Sequence, residues 1–66
     1  MKVTVNGEEH DVPAGLNVAS LLNHLGIASE RVAIERNLGI LSREHWGDTP
    51  VAPGDSFEIV HFVGGG

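Results

Sequence analysis

The sequence contains no cysteine. That excludes disulfides, thiolate metal ligands and a cysteine nucleophile, and it leaves the redox compartment unmarked. Basic residues are scarce: four Lys and Arg stand against nine Asp and Glu, for a net charge of −5. Nucleic-acid binding rests on basic contacts to phosphate, so that class of function is set aside. An acidic surface fits a partner with a basic docking face, although it also simply keeps a protein in solution. No apolar run approaches the ~20 residues that a membrane span needs. Met1-Lys2-Val3-Thr4-Val5 lacks a signal-peptide layout and reads as a strand, so the cytoplasm is the expected compartment.

Motifs of catalysis are missing as well. Ser20, Ser29, Ser42 and Ser56 lack a nucleophile-elbow context, and no phosphate-cradling glycine loop precedes a helix. His10, His24, His45 and His61 are scattered without the i, i+4 spacing of a zinc helix, so no metal site is expected. His10 and His61 read instead as half-buried strand residues. The chain is read as carrying no active site and binding no cofactor of its own.

What is present suffices for one small domain. The hydrophobic fraction of 41% is too high for disorder, while a 66-residue chain buries only roughly 60% of its unfolded surface. Asn6-Gly7 is a strong hairpin signal, because both residues accept the positive φ of a type I′ turn. A two-residue loop pairs Val5 with Glu8, Val3 with His10 and Met1 with Val12 on the core face. On the other face it sets Lys2 opposite Asp11 as an opposite-charge pair. Asn17 is a good N-cap. Val18, Leu21, Leu22 and Leu25 then form one helical stripe, with Gly26 at the C′ position, which predicts a helix from about Val18 to Leu25.

Val32-Ala33-Ile34 reads as a third strand, Asn37-Leu38-Gly39 as a turn and Ile40-Leu41 as a short fourth strand. Arg43-Glu44-His45-Trp46 is a short polar connector of about one helical turn, anchored by Trp46, with Val51 plugging the core further on. Phe57 to Val63 is the last strand. Hairpin, helix, two strands, crossover and final strand in that order predict an α+β fold: a ubiquitin-like β-grasp, with a mixed sheet of about five strands packed on one main helix. The final strand is then central, beside the first and parallel to it. Residues 1–63 are expected to form the body and 64–66 a flexible C-terminal glycine tail.

Two features of this end point to function. With Phe57 and Ile59 facing the helix, Val60 and Phe62 fall on the open sheet face, a docking patch continued by Val63. Gly64-Gly65-Gly66 follows. Glycine loses more backbone freedom on ordering than any other residue, so this triplet is not there for stability. Without side chains it can be drawn extended through a narrow channel and present a carboxylate to another protein's active site.

The chain resembles the ThiS family of sulfur carrier proteins of thiamine biosynthesis over essentially its whole length. The resemblance is carried by Val32-Ala33-Ile34-Glu35-Arg36-Asn37, by Ile40 to Trp46, and by Pro53 to His61 with the glycines, in order and at the family's spacing. Ser42 departs from it, standing where the family commonly has proline, and Leu38-Gly39 replaces a more polar turn. The resemblance implies that a ThiF-type adenylyltransferase uses MgATP to adenylate the Gly66 carboxylate. It implies next that a sulfur donor, a cysteine desulfurase relay, converts the adenylate to a thiocarboxylate. A ThiG-type thiazole synthase would accept the sulfur. Gly64 and Gly65 would thread the partners' channels, and Val60, Phe62 and Val63 would dock. Other readings share the fold: a molybdopterin-synthase small-subunit-type carrier, a ubiquitin-like modifier of lysines, or a β-grasp binding module whose tail is irrelevant.

Overall fold

The computed structural model describes residues 1–62. Its sheet is built from β1 (Lys2–Val5), β2 (Glu8–Asp11), β3 (Val32–Arg36), β4 (Gly39–Leu41) and β5 (Ser56–His61), and α1 spans Val18–His24. The spatial order is β2-β1-β5-β3-β4. β5 is central, parallel to β1 and antiparallel to β3. This is the expected β-grasp roll: α1 covers one face of the sheet and the other face is open.

Local chemistry explains each element. Asn6 and Gly7 take φ values of 51° and 81°, and the register that follows is the expected one, with Val5 opposite Glu8, Val3 opposite His10 and Lys2 opposite Asp11. The ion pair differs from the expectation: Lys2 reaches the diagonal Glu9 at 3.4 Å, which long side chains can do on a twisted ribbon. Asn17 caps α1 through a reciprocal pair with Ser20, its Oδ1 accepting from the Ser20 N–H at 2.8 Å while Ser20 Oγ accepts from the Asn17 N–H. At the other end Gly26 has φ 73°. The Gly26 and Ile27 amides donate to the Asn23 and Leu22 carbonyls, a Schellman closure. No helix among the described residues is long and apolar enough to cross a membrane.

The core follows the alternation of each strand. Val3 and Val5, Val32 and Ile34, and Phe57 and Ile59 point at Val18, Leu21 and Leu22 of α1. The crossover from β4 to β5 contains a 3₁₀ helix, Arg43–Asp48, two residues longer than the single turn predicted. Trp46 is buried there and its Nε1 donates to the Leu41 carbonyl at 3.0 Å. Val51 completes the plug, and its amide donates to the Leu16 carbonyl. Ser42 has φ −64°, a value proline would also adopt, so the serine needs no backbone adjustment.

The sequence missed a second 3₁₀ turn, Ser29–Arg31, and the full length of β3, which runs on through Glu35 and Arg36. The β3–β4 turn is a two-residue loop, Asn37-Leu38, so Gly39 belongs to β4 and not to the turn. Asn37 and Leu38 have φ 50° and 71°. Leucine in the left-handed region costs about 1–2 kcal/mol, and Leu38 is 94% exposed, so no packing offsets that cost.

Asp55 is the buried acidic side chain among the described residues, and it organises the loop that leads into β5. Its carboxylate accepts from Arg36 Nε and Nη2 at 3.1 and 3.3 Å, from Asn37 Nδ2 at 3.2 Å and from the Ala52 N–H at 2.8 Å. Burial alone would push this carboxyl up. The hydrogen bonds from Ala52, Asn37 and Arg36, with the charge of Arg36, outweigh it and hold the carboxyl below the ordinary aspartate value. A lowered native value means that Asp55 stabilises the fold above the unfolded-state value, and that this contribution fades as pH falls through the native one. Urea midpoints should therefore fall as pH drops below about 4. Asp55→Asn should cost about 1–3 kcal/mol at neutral pH and flatten that acid limb; an unchanged acid limb would assign it to other carboxylates.

Candidate functional site

The site is the downstream half of β5 and the open sheet face around it. Strand alternation does the sorting. Phe57 is fully buried and Ile59 nearly so, whereas Val60 and Phe62 are 56% and 58% exposed. The parity expected from the sequence therefore holds through Val60, which is on the open face, and Phe62 is exposed just beyond the end of β5. His10 is half-buried as expected, but His61 is exposed, although Val32, directly opposite it on β3, is buried. Val63, Gly64, Gly65 and Gly66 lie outside the described residues, and so does the boundary expected after residue 63.

Register fills in the neighbours. Val60 lies directly opposite Ala33, and Glu58 opposite Glu35. Ala33 and Glu35 are exposed, as is Ile40, which lies opposite Glu35 on β4. The open face thus carries an apolar strip, Ala33, Val60 and Phe62, beside paired carboxylates.

The end of the strand is held on both sides. On the β1 side, the Asn6 N–H donates to the Phe57 carbonyl at 2.8 Å. The Asn6 side chain then reaches one step further: Oδ1 accepts from the Ile59 N–H at 2.7 Å, and Nδ2 donates to the Ile59 carbonyl at 3.1 Å. On the β3 side, His61 lies opposite Val32, and the Phe62 N–H donates to the Arg31 carbonyl at 2.8 Å. Arg31 belongs to the 3₁₀ turn that Arg43 secures by donating to the Ser29 and Val32 carbonyls. The Arg43 guanidinium lies 4.6 Å from the centre of the Trp46 ring, a cation–π contact. Asn6 and Arg43 were missed as site residues, because their partners on β5 and β3 are distant in sequence and only the folded register brings them together.

Among the described residues there is no cleft, and no cluster of three or more metal-ligating side chains. The four histidines are not brought together.

The ThiS family profile matches residues 3–66. A thiazole synthase of Magnetococcus marinus is 46% identical over 66 residues, which is all of this chain and 20% of that protein. The chain spans about a fifth of the length of the thiazole synthases it matches. The sulfur carrier protein ThiS of Bacillus subtilis is 37% identical over 49 residues, covering 74% of each chain. In three dimensions, the crystal structure of the thiamine biosynthesis protein ThiS from Geobacter metallireducens superposes with a TM-score of 0.86 at 42% identity, over the whole of both chains. With its profile match, its topology and its likeness to that structure in agreement, the chain belongs to the ThiS family.

Proposed function

We propose that this protein is a sulfur carrier for thiamine biosynthesis, activated at the carboxylate of Gly66. The observation that carries the proposal is the exposure of Val60 on the central strand and of Phe62 just beyond its end, in the segment that leads in sequence into the triglycine. One surface identifies the carrier to its partners while the adjoining segment enters their active sites.

The chemistry required is specific. A carboxylate is a poor electrophile. In the first step an oxygen of Gly66 attacks the α-phosphorus of ATP, held with Mg²⁺ by a ThiF-type adenylyltransferase, and pyrophosphate leaves. The acyl-adenylate carbonyl is then open to attack by the terminal sulfur of a persulfide from a cysteine desulfurase relay, and AMP leaves. A thiol cleaves the resulting acyl disulfide and leaves as a disulfide, so that Gly66 retains sulfur as a thiocarboxylate. A ThiG-type thiazole synthase takes that sulfur into the thiazole ring. Partnership with thiazole synthase is supported by proteins of that name that contain a stretch matching this whole chain. Gly64 and Gly65 lack side chains and suit a narrow channel, while Val60, Phe62 and Val63 form the docking surface. The cytoplasm is the compartment that fits these steps.

The docking role is tested by Phe62→Asp. Burying a phenylalanine at an interface is worth about 1.5–3 kcal/mol, so the KM of the carrier for its adenylating partner should rise roughly 10- to 100-fold. Stability should change by less than about 0.5 kcal/mol, as for other surface positions. Unchanged kinetics, or a collapse of the fold, would move docking to another face.

A further inference from the structure

We propose that Asn6 is a positioning residue for activation: its side chain substitutes for a missing strand and fixes the direction in which β5 delivers the chain to a partner's active site. This rests on the sulfur-carrier reading above. β1 gives β5 a true strand partner only as far as Val5, which lies opposite Phe57. The chain then turns away at Asn6 and Gly7, and β5 continues beyond it. A central strand that outruns its neighbour has one bare edge, and a bare edge lets the strand end swing.

Asn6 prevents that for one further ladder step. A carboxamide carries an acceptor and a donor side by side, as a peptide group does. Asn6 presents both to the backbone of Ile59, accepting at 2.7 Å and donating at 3.1 Å. With the ladder bond from its own N–H to Phe57 O, one residue continues the β1 side of the sheet over Phe57 and Ile59. The opposite side of β5 is paired further still, to Val32 and Arg31. The strand is therefore clamped on both edges at Ile59, one residue before the exposed Val60. Aim matters because a displacement of about 1 Å at a reacting group can cost on the order of 100-fold in rate.

Turn chemistry alone does not account for Asn6. Glycine satisfies a type I′ turn as well as asparagine does. What asparagine adds here is the pair of bonds to Ile59. Asn6→Gly therefore removes the clamp and keeps the turn, and Asn6→Asp keeps the acceptor and loses the donor.

The test uses the 66-residue chain with MgATP and the ThiF-type adenylyltransferase of the same cells, following pyrophosphate release against carrier concentration. Exchange of the Ile59 amide is followed separately by NMR. Asn6→Gly should lower kcat roughly 10-fold and leave the KM for the carrier within about twofold, because the Val60 and Phe62 surface is untouched. The Ile59 amide should lose protection. Asn6→Asp should fall between wild type and Asn6→Gly in kcat, and should still lie below wild type if the glycine variant folds poorly. The inference is overturned if Asn6→Gly frees the Ile59 amide without lowering kcat, if Asn6→Asp retains the wild-type kcat, or if the loss appears in KM alone. A wild-type chain that releases no pyrophosphate overturns the sulfur-carrier reading, and the inference falls with it; that outcome is seen in the wild-type reaction before any variant is compared.

Discussion

Removing Gly65 and Gly66 should abolish sulfur loading completely and leave the melting curve of the domain where it was. Both halves of this expectation follow from where the chain keeps its packing. Among the described residues the twelve members of the buried apolar core lie from Val3 to Ile59, and the last hydrogen bond of the described strand end is that of the Phe62 amide. The two glycines carry no side chain to bury, so their removal should leave stability unchanged. What is lost is the carboxylate at the reach the partner requires. Intact-mass measurement after incubation with MgATP, adenylyltransferase and sulfur donor reads the outcome, as an exchange of one oxygen for one sulfur on the intact chain and none on the truncated one. Gly65→Ala and Gly66→Ala retain the carboxylate and add one methyl each. They should load, but roughly 10- to 100-fold more slowly, because a misplaced reacting group loses rate steeply. The same spectra separate the alternatives: transfer onto lysines of other proteins would mark a modifier, and a truncated chain that functions normally would mark a binding module. A molybdopterin-type carrier would load identically but would deliver sulfur to a different acceptor.

The second large effect is on stability. Phe57 is fully buried at the centre of the sheet, between β1 and β3 and under α1. Phe57→Ala should cost about 3–5 kcal/mol in lost transfer and residual cavity. A domain of 66 residues has a total stability of roughly 3–10 kcal/mol. The substitution therefore brings the protein to the edge of unfolding, and its urea transition at 25 °C should be shifted into the lowest denaturant concentrations or lost. The variant keeps every glycine, yet its loading should collapse in proportion to the unfolded fraction, and loading restored by lower temperature would track the refolded one. A loss under about 1 kcal/mol would mean that the neighbouring side chains close the gap.

The fold was legible because its signals are local. Asn6-Gly7 sets a register within ten residues, Asn17 and Gly26 bracket α1, and the alternation Phe57, Ile59 against Val60, Phe62 assigns both faces of β5. What escaped is long-range. Asp55 joins Arg36 and Asn37 across 18 or 19 positions, and Asn6 reaches Ile59 across 53. No periodicity announces such bonds, since each depends on how two separate strands come into register. The Asn37-Leu38 turn was misread by one residue for a different reason: leucine is a poor occupant of a left-handed position, and the glycine beside it drew the assignment. His61 was expected to be half-buried because its parity is that of Phe57 and Ile59, but the burial that reaches those two residues does not extend to it.

The strained Leu38 turn has a dynamic consequence. It lies beyond Arg36, which faces the beginning of β5 at Phe57, while Val32 at the other end of the same strand faces His61. β4 is an edge strand of only three residues closed by this turn. Asn37 ties the turn itself to Asp55 and Ser56, but β4 pairs with β3 alone, and short edge segments of that kind fray before the whole domain unfolds. Such breathing leaves the pairing of Val32 with His61 in place, so the sheet can loosen at one pole while the end of β5 keeps its partner strand.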